Sequence, residues 1–249
     1  SHTGSMAGHD DAYRAAFEQA GVLRAETIQD VFDFGQVLAG QSPLDGDRIA
    51  VLTNGGGPGV LTTDAVDDSR LELADFGEET HATLTELLPA AADSTNPLDI
   101  IGDADLDRFD AALDTVLADE AVDGAVVLSV PTALYEFDTL ANRIGDLQSE
   151  HGTPVVACLM GGEPADRAAE TLAEYGVPNY FDPARAVASL EALADYGDIR
   201  DREYEPPAEF AVDRERAHEI LAQTDDRGVD YLGVEAMELL AAYGIPTPP

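Results

Sequence analysis

No lysine occurs anywhere in this chain. Its 13 basic residues are all arginine and face 50 aspartates and glutamates, giving a formal net charge of −37 at pH 7. Without lysine there is no phosphate loop of the GxxxxGK(S/T) type, no Schiff-base enzyme and no Ser-Lys hydrolase. A GxSxG nucleophile elbow and an HExxH metal pair are missing as well. The one cysteine, Cys158, rules out a disulfide framework and any multi-cysteine metal site. Its place in the apolar run PVVACLM marks an inert core thiol. Tryptophan is absent. No apolar run approaches the ~20 residues of a membrane-spanning helix, and no secretory leader is visible, so the expected location is the cytoplasm.

What is present is an acidic, globular chain. Hydrophobic residues make up 45% of its 249 positions, enough to bury one large core or two small ones. The negative charge repels nucleic acid and anionic membrane, which are bound through basic patches. It also repels itself, so low salt should destabilise the compact state and added salt should relieve it. An acidic surface without lysine resembles proteins of salt-accumulating extreme halophiles, in which charge reports the solvent and not the function.

Along the chain, DDAYRAAFEQA and ETIQDVFDFGQVLAG carry apolar residues at helical spacing, and the turn-rich QSPLDGD sets them apart from the rest. From Arg48 short apolar runs alternate with amphipathic helices. RIAVLT, LELADF, GAVVLSV, PVVACLM and VPNYF are the strands, NPLDII is a further short run, and helices follow each in turn. Strands without polar alternation, each followed by a helix, predict a parallel sheet covered on both faces. The expected fold class is therefore α/β: a flavodoxin-like, open doubly wound sheet of about five strands ending near Gly197. DIRDREYEPPAEFAVD reads as a linker, and RERAHEILAQ and GVEAMELLAAYGIPTPP give two further helices, too little for a core of their own.

Candidate ligand-binding residues gather at the carboxyl ends of the strands. NGGGPG, Asn54 to Gly59, joins a strand to a helix; glycines let a backbone approach an anion, and the helix N-terminus attracts it. Val60 stands where a third glycine would complete GxGxxG, so a dinucleotide site is weakly supported, and a tight turn alone would also account for the glycines. Gly56 and Gly57 are the residues expected to touch phosphate. STNPLDIIGDAD puts Asn96, Asp99 and Gly102 on the same edge. SVPTALYE puts Thr132 and Ala133 at a helix start, with Thr132 the expected phosphate contact. Gly161 and Gly162 of MGGEPAD offer a fourth loop, or merely turn the chain. His9 beside Asp10 and Asp11 reads as a solvated helix start in preference to a metal site; His81, His151 and His218 read as surface residues.

SHTGSMAGHDDAYRAAFEQAGV, RIAVLTNGGGPGVLTTDA, STNPLDIIGDAD, MGGEPADRAAETLAEYGVPNYFDPARAV and LLAAYGIPTPP, in this order, resemble the NDP-forming acyl-CoA synthetases. These include the archaeal ADP-forming acetyl-CoA synthetases and are relatives of succinyl-CoA synthetase. A Ser-His start by itself is equally what a cleaved affinity tag leaves, but a tag scar would not continue in the family's register. The resemblance implies that His2 is the phosphorylated histidine and that Thr3, Gly4 and Ser5 form a mobile phosphate-binding loop around it. It implies a piece of a longer enzyme: residues 1–45 as the end of a CoA-ligase domain, 46–197 as the flavodoxin-like domain, and 198–249 as a linker and the first helices of an ATP-grasp domain. It implies that CoA, ADP or ATP and Mg²⁺ are bound by other domains or subunits of an oligomeric parent, with no cofactor held by this chain. The reaction implied is acyl-CoA + ADP + phosphate to acid + CoA + ATP. The readings set against it are a non-catalytic phosphate- or CoA-binding or assembly module, a protein acetyltransferase with a degenerate version of the same architecture, and a true flavodoxin. His2 speaks against the second, and the bare NGGGPG loop against the third.

Overall fold

Thr27 and Asp30 open the second helix with a reciprocal capping box. The Thr27 hydroxyl accepts from the Asp30 amide at 3.1 Å, and the Asp30 carboxylate accepts from the Thr27 amide at 2.8 Å. The computed structural model describes residues 10–203, 212–226, 232–233 and 235–247. In chain order its elements are α1 (Asp10–Ala20), α2 (Ile28–Gly40), β1 (Arg48–Thr53), α3 (Gly56–Asp67), β2 (Glu72–Leu73), α4 (Glu78–Leu87) and β3 (Leu98–Asp99). There follow α5 (Leu106–Leu117), β4 (Gly124–Ser129), α6 (Phe137–His151), β5 (Val155–Leu159), α7 (Glu163–Glu174), α8 (Pro183–Asp201), α9 (Arg214–Asp226) and α10 (Glu235–Ala242).

All strands run parallel. β1 is flanked on one side by β4 along its length, from Ile49↔Gly124 to Thr53↔Leu128, and β4 by β5. On its other side β1 pairs with β2 at its start (Arg48↔Glu72) and with β3 at its end (Leu52↔Leu98). β2 and β3 are thus one edge strand, broken in the middle. A single bridge, Ala157↔Asn179, marks the opposite edge. This is the flavodoxin-like order the alternation of strands and helices predicts, except that LELADF pairs as a strand over two residues only and VPNYF, expected as a strand, is reduced to the one bridge at Asn179.

The apolar runs are two interleaved alternations. Ala50, Leu52, Ala125, Val127, Val155 and Ala157 face a core closed by α4, α5, α6 and α7. Ile49, Val51, Val126, Leu128, Val156 and Cys158 face the other, closed by α2, α3 and α8. Cys158 is buried, and burial pushes its thiol up to about 12: it is packing, not chemistry. Among the described residues no helix is long and apolar enough to cross a membrane.

The break in the edge strand is filled by a side chain. Asn96 Oδ1 accepts the Val51 amide at 2.9 Å, while Nδ2 donates to the carbonyls of Ile49 at 2.8 Å and Ala74 at 3.1 Å. One amide therefore satisfies main-chain groups that a continuous strand would have paired. Gln41 does the same at the foot of β5: its Oε1 accepts from Val155 N at 3.0 Å and its Nε2 donates to Gly176 O at 2.7 Å. Asn179 accepts from Leu159 N at 2.8 Å.

Helix α2 is built into the second core. Asp33, buried, accepts two bonds of 2.7 Å from the Arg185 guanidinium and one of 2.9 Å from Gln29, while the Tyr180 hydroxyl donates to the Asp33 carbonyl at 3.2 Å. Burial alone would raise the Asp33 carboxyl, but the bonds from Arg185 and Gln29 outweigh it and hold the group below the usual carboxylate range. The resulting stability is present above the unfolded carboxylate value, near pH ~4, and is lost as pH falls through the lower folded value. Asp33→Asn is expected to cost about 2 kcal/mol at neutral pH, discounted from the value for a fully buried pair because Arg185 is partly exposed. Melting curves of both proteins should converge below about pH 4; a gap that widens there would contradict the assignment.

Helix α8 continues past Gly197 to Asp201, into the stretch that reads as a linker. Described residues up to Arg202 belong to one compact unit. The second unit contains α9 and α10, which meet through Asp213 N to Ala242 O at 2.8 Å and through Arg216, bonded to Glu219 and Glu238.

Candidate functional site

Four loops leave the carboxyl ends of the strands. After β1, the Thr53 hydroxyl accepts from Gly55 N at 3.0 Å and donates to Gly55 O at 2.9 Å, folding the chain back on itself. Helix α3 then begins at Gly56, with Gly55 as its cap and no side chain bonded to the free amides. The first amides of a helix have no acceptor within it; here Gly56 and Gly57 supply them, since Pro58 has none. Both glycines are exposed, and a Cβ on Gly57 would meet nothing within 4 Å. Gly56 and Gly57, expected from the sequence to touch phosphate, are thus uncapped donors at a helix start on the carboxyl edge.

The loop after β3 differs from expectation. Asn96 does not line the carboxyl edge; it fills the gap in the edge strand, with both Nδ2 hydrogens and its Oδ1 bonded to main-chain groups. Asp99 does reach the edge. Its Oδ1 accepts from Ile101 N at 2.9 Å, and its Oδ2 lies 3.4 Å from where a Gly56 side chain would begin. Ile101 has φ of +68°, the left-handed region, which is costly for a β-branched residue by roughly 1–3 kcal/mol. Gly102 follows against the Asn54 carbonyl. Arg108, from the first turn of α5, reaches back to the Ile100 carbonyl at 3.2 Å and to Asp103 at 2.7 Å.

The loop after β4 corrects the placement of Thr132 and Ala133. They do not start a helix: α6 begins only at Phe137, and Thr132 lies in the connecting loop with its hydroxyl accepting from Leu134 N at 3.2 Å. Pro131 and this local turn hold the segment out of helical register. Thr132 remains at the edge, as a hydroxyl and not as a helix terminus. The loop after β5 is a turn: Gly161 and Gly162 have φ of +156° and +64°, and a side chain on Gly161 would press on Pro131.

Two residues not singled out from the sequence, Asn54 and Tyr135, join these loops. Asn54, 2% exposed, bonds to both main-chain groups of Val130 and to the Tyr135 hydroxyl. Tyr135 also bonds Ser129 at 2.8 Å and stands edge-on to Phe109. Burial raises the Tyr135 phenol above its ordinary value, so it stays protonated and serves as a hydrogen-bonding group. The partners of Asn54 lie 76 and 81 residues away in sequence, beyond any local pattern. The histidines divide. His218 is exposed, whereas His81 and His151 are half-buried and bonded to Ser94 at 3.3 Å and Asp114 at 2.7 Å. His2, Thr3, Gly4, Ser5 and His9 lie outside the described residues. Among the described residues no three His, Cys, Asp or Glu side chains are grouped to hold a metal ion. The edge thus presents the Gly56 and Gly57 amides, the Thr132 hydroxyl and the Asp99 carboxylate.

The model of the Ligase-CoA domain family matches residues 49–200, and that of the succinyl-CoA ligase-like flavodoxin domain matches residues 1–38. Acetate–CoA ligase (ADP-forming) I of Archaeoglobus fulgidus is 40% identical over all of this chain and 35% of its own length. The alpha subunit of the corresponding Pyrococcus furiosus enzyme is 38% identical over 78% of this chain and 42% of its own length. The chain thus spans well under half of these curated relatives. Among solved structures it is similar to the dinucleotide-forming acetyl-coenzyme A synthetase 1 of Candidatus Korarchaeum cryptofilum in complex with phosphate and ADP. That likeness has a TM-score of 0.74 and 34% identity, over 80% of this chain and 43% of that one.

Proposed function

The chain belongs to the Ligase-CoA domain family, and from that premise we propose that it is part of an ADP-forming acyl-CoA synthetase, with His2 as the carrier of the phosphoryl group. The observation that carries the reading is the start of α3: two exposed glycines whose amides have no side-chain cap, on the carboxyl edge of the sheet, with the Asp99 carboxylate beside Gly56. The named activities of the similar proteins and the phosphate and ADP of the Korarchaeum complex support it.

The chemistry divides accordingly. Phosphate attacks the thioester carbonyl, the C–S bond breaks, and CoA leaves as thiolate with acyl phosphate remaining. A neutral imidazole nitrogen of His2 attacks phosphorus; the N–P bond forms while the bond to the acyl oxygen breaks, and the carboxylate departs with the electron pair. Imidazole suits this step because it is neutral and nucleophilic near pH 7 and its phosphoryl group is reactive enough to pass to ADP. Thr3, Gly4 and Ser5 give the loop donors and freedom to travel between sites. The amides of Gly56 and Gly57 and the hydroxyl of Thr132 receive the phosphoryl group at the sheet edge, where fixed dipoles replace the missing lysine. The reading assigns CoA, nucleotide and Mg²⁺ to the CoA-binding and ATP-grasp parts of an oligomeric, cytoplasmic enzyme from a high-salt interior.

The test is the complete synthetase carrying residues 1–249, incubated in high KCl with labelled ATP and Mg²⁺ beside a His2→Ala variant. Acid-labile, alkali-stable label on the parent and none on the variant is the expected result. Label on neither would leave the fold as a phosphate- or CoA-binding module, and label on both would place the carrier elsewhere.

A further inference from the structure

Resting on that reading, we infer that Asn54 is a positioning residue for phosphate, acting by locking the Gly56–Gly57 loop and the Thr132 loop into one register. The regular ladder between β1 and β4 ends at Thr53↔Leu128. One residue on, the Asn54 side chain adds another rung. Its Oδ1 accepts the Val130 amide at 2.8 Å, and its Nδ2 donates to the Val130 carbonyl at 3.2 Å and to the Tyr135 hydroxyl at 3.0 Å. Tyr135 is tied in turn to Ser129 at 2.8 Å. Val130 lies two residues before Thr132, and Asn54 two before Gly56. The amide therefore joins the two candidate phosphate-binding segments at their roots.

The loops also touch directly: a Cβ on Gly55 would lie 3.2 Å from the Val130 side chain. There is little slack for the backbone to compensate once the amide is removed. Asn54 and Ser129 are buried, and the network is satisfied at every member, the condition under which buried polar networks rigidify their surroundings. Backbone donors act on an anion only where they converge on it, and displacements of about 1 Å can cost up to a hundredfold in rate. Asn54 does not touch phosphate itself. Its effect is on where the amides of Gly56 and Gly57 point relative to the Thr132 hydroxyl.

The experiment uses the complete synthetase in high KCl, with Asn54→Ala and Tyr135→Phe variants, and reads KM for inorganic phosphate and KM for acyl-CoA separately, with a melting curve for each protein. Asn54→Ala is expected to raise the phosphate KM about tenfold and leave the acyl-CoA KM unchanged. Tyr135→Phe keeps both bonds to Val130 and is expected to raise the phosphate KM about threefold. Equal rises in both KM values, or a loss of kcat that merely follows a lower melting temperature, would reduce Asn54 to a fold-stabilising residue and overturn the inference. Should Asn54→Ala fail to fold, Tyr135→Phe decides alone, and an unchanged phosphate KM overturns it. Label on His2 is a separate readout: a His2→Ala enzyme that still takes label overturns the phosphohistidine reading whatever the KM values do.

Discussion

Gly40→Ala is expected to destabilise the protein by about 3 kcal/mol, whereas Gly35→Ala, five residues earlier on the same helix, is expected to stabilise it by about 0.5–1 kcal/mol. The difference comes from what each new methyl group meets. At Gly35 there is nothing within 4 Å, and alanine simply removes freedom from the unfolded chain. At Gly40 the methyl would fall inside van der Waals contact of the Gly176 carbonyl, a backbone atom that cannot rotate away. Gly176 is fixed as well. Its φ of +73° suits glycine, and its carbonyl accepts the Gln41 side chain at 2.7 Å. Moving α2 aside would pull Gln41 off both Gly176 and the buried amide of Val155, exposing an unpaired group at the foot of β5. Urea unfolding at constant KCl measures both variants. Equal shifts of the same sign would mean that α2 is not held against this corner of the sheet.

The same corner shows where sequence patterns stop being informative. β1, β4 and β5 are legible because their burial is periodic and local: alternate residues serve opposite cores, and each run is followed by a helix with its own apolar stripe. The Gly-rich loop after β1 is legible because strand, glycines and helix are contiguous. The two short edge strands are not. LELADF looks like an ordinary strand and NPLDII like a short apolar run, yet each pairs over two residues, and the Asn96 amide occupies the place of the missing rung. A polar residue next to proline reads as a turn or a ligand-binding position; nothing in its surroundings announces that it replaces backbone. Gln41, Asn54 and Asn179 are the same case. Thr132 misleads for a related reason. Thr-Ala-Leu-Tyr-Glu has the composition of a helix start, but Pro131, the turn at Thr132 and the Tyr135 hydroxyl bound to Ser129 and Asn54 belong to a loop that gives way to helix only at Phe137.

Melting temperature is expected to rise by roughly 10 °C or more between tens of millimolar and molar KCl, corresponding to roughly 3–5 kcal/mol of relieved repulsion for a chain of this size. Two salt effects compete. Screening weakens the ion pairs, which are numerous: Arg48 with Asp123, Arg70 with Asp195 and Asp198, Arg143 with Asp110, Arg185 with Asp33. Partly exposed pairs are worth ~0–1 kcal/mol each, and 13 arginines set an upper limit on them. Against these stand 50 acidic residues, 37 more than the arginines can neutralise. Repulsion among them reaches over a Debye length of about 10 Å at 0.1 M salt and about 3 Å at 1 M. The unfolded chain spreads the same charges apart, so screening favours the folded state by more than it loses in pairs. The form of the curve separates this cause from general exclusion of solute. Screening should saturate below about 1 M KCl, and sucrose, which is excluded but carries no charge, should not reproduce the steep early rise. A melting temperature that ignores KCl, or one that sucrose raises equally, would mean that the surplus carboxylates are far enough apart in the fold to leave its stability alone.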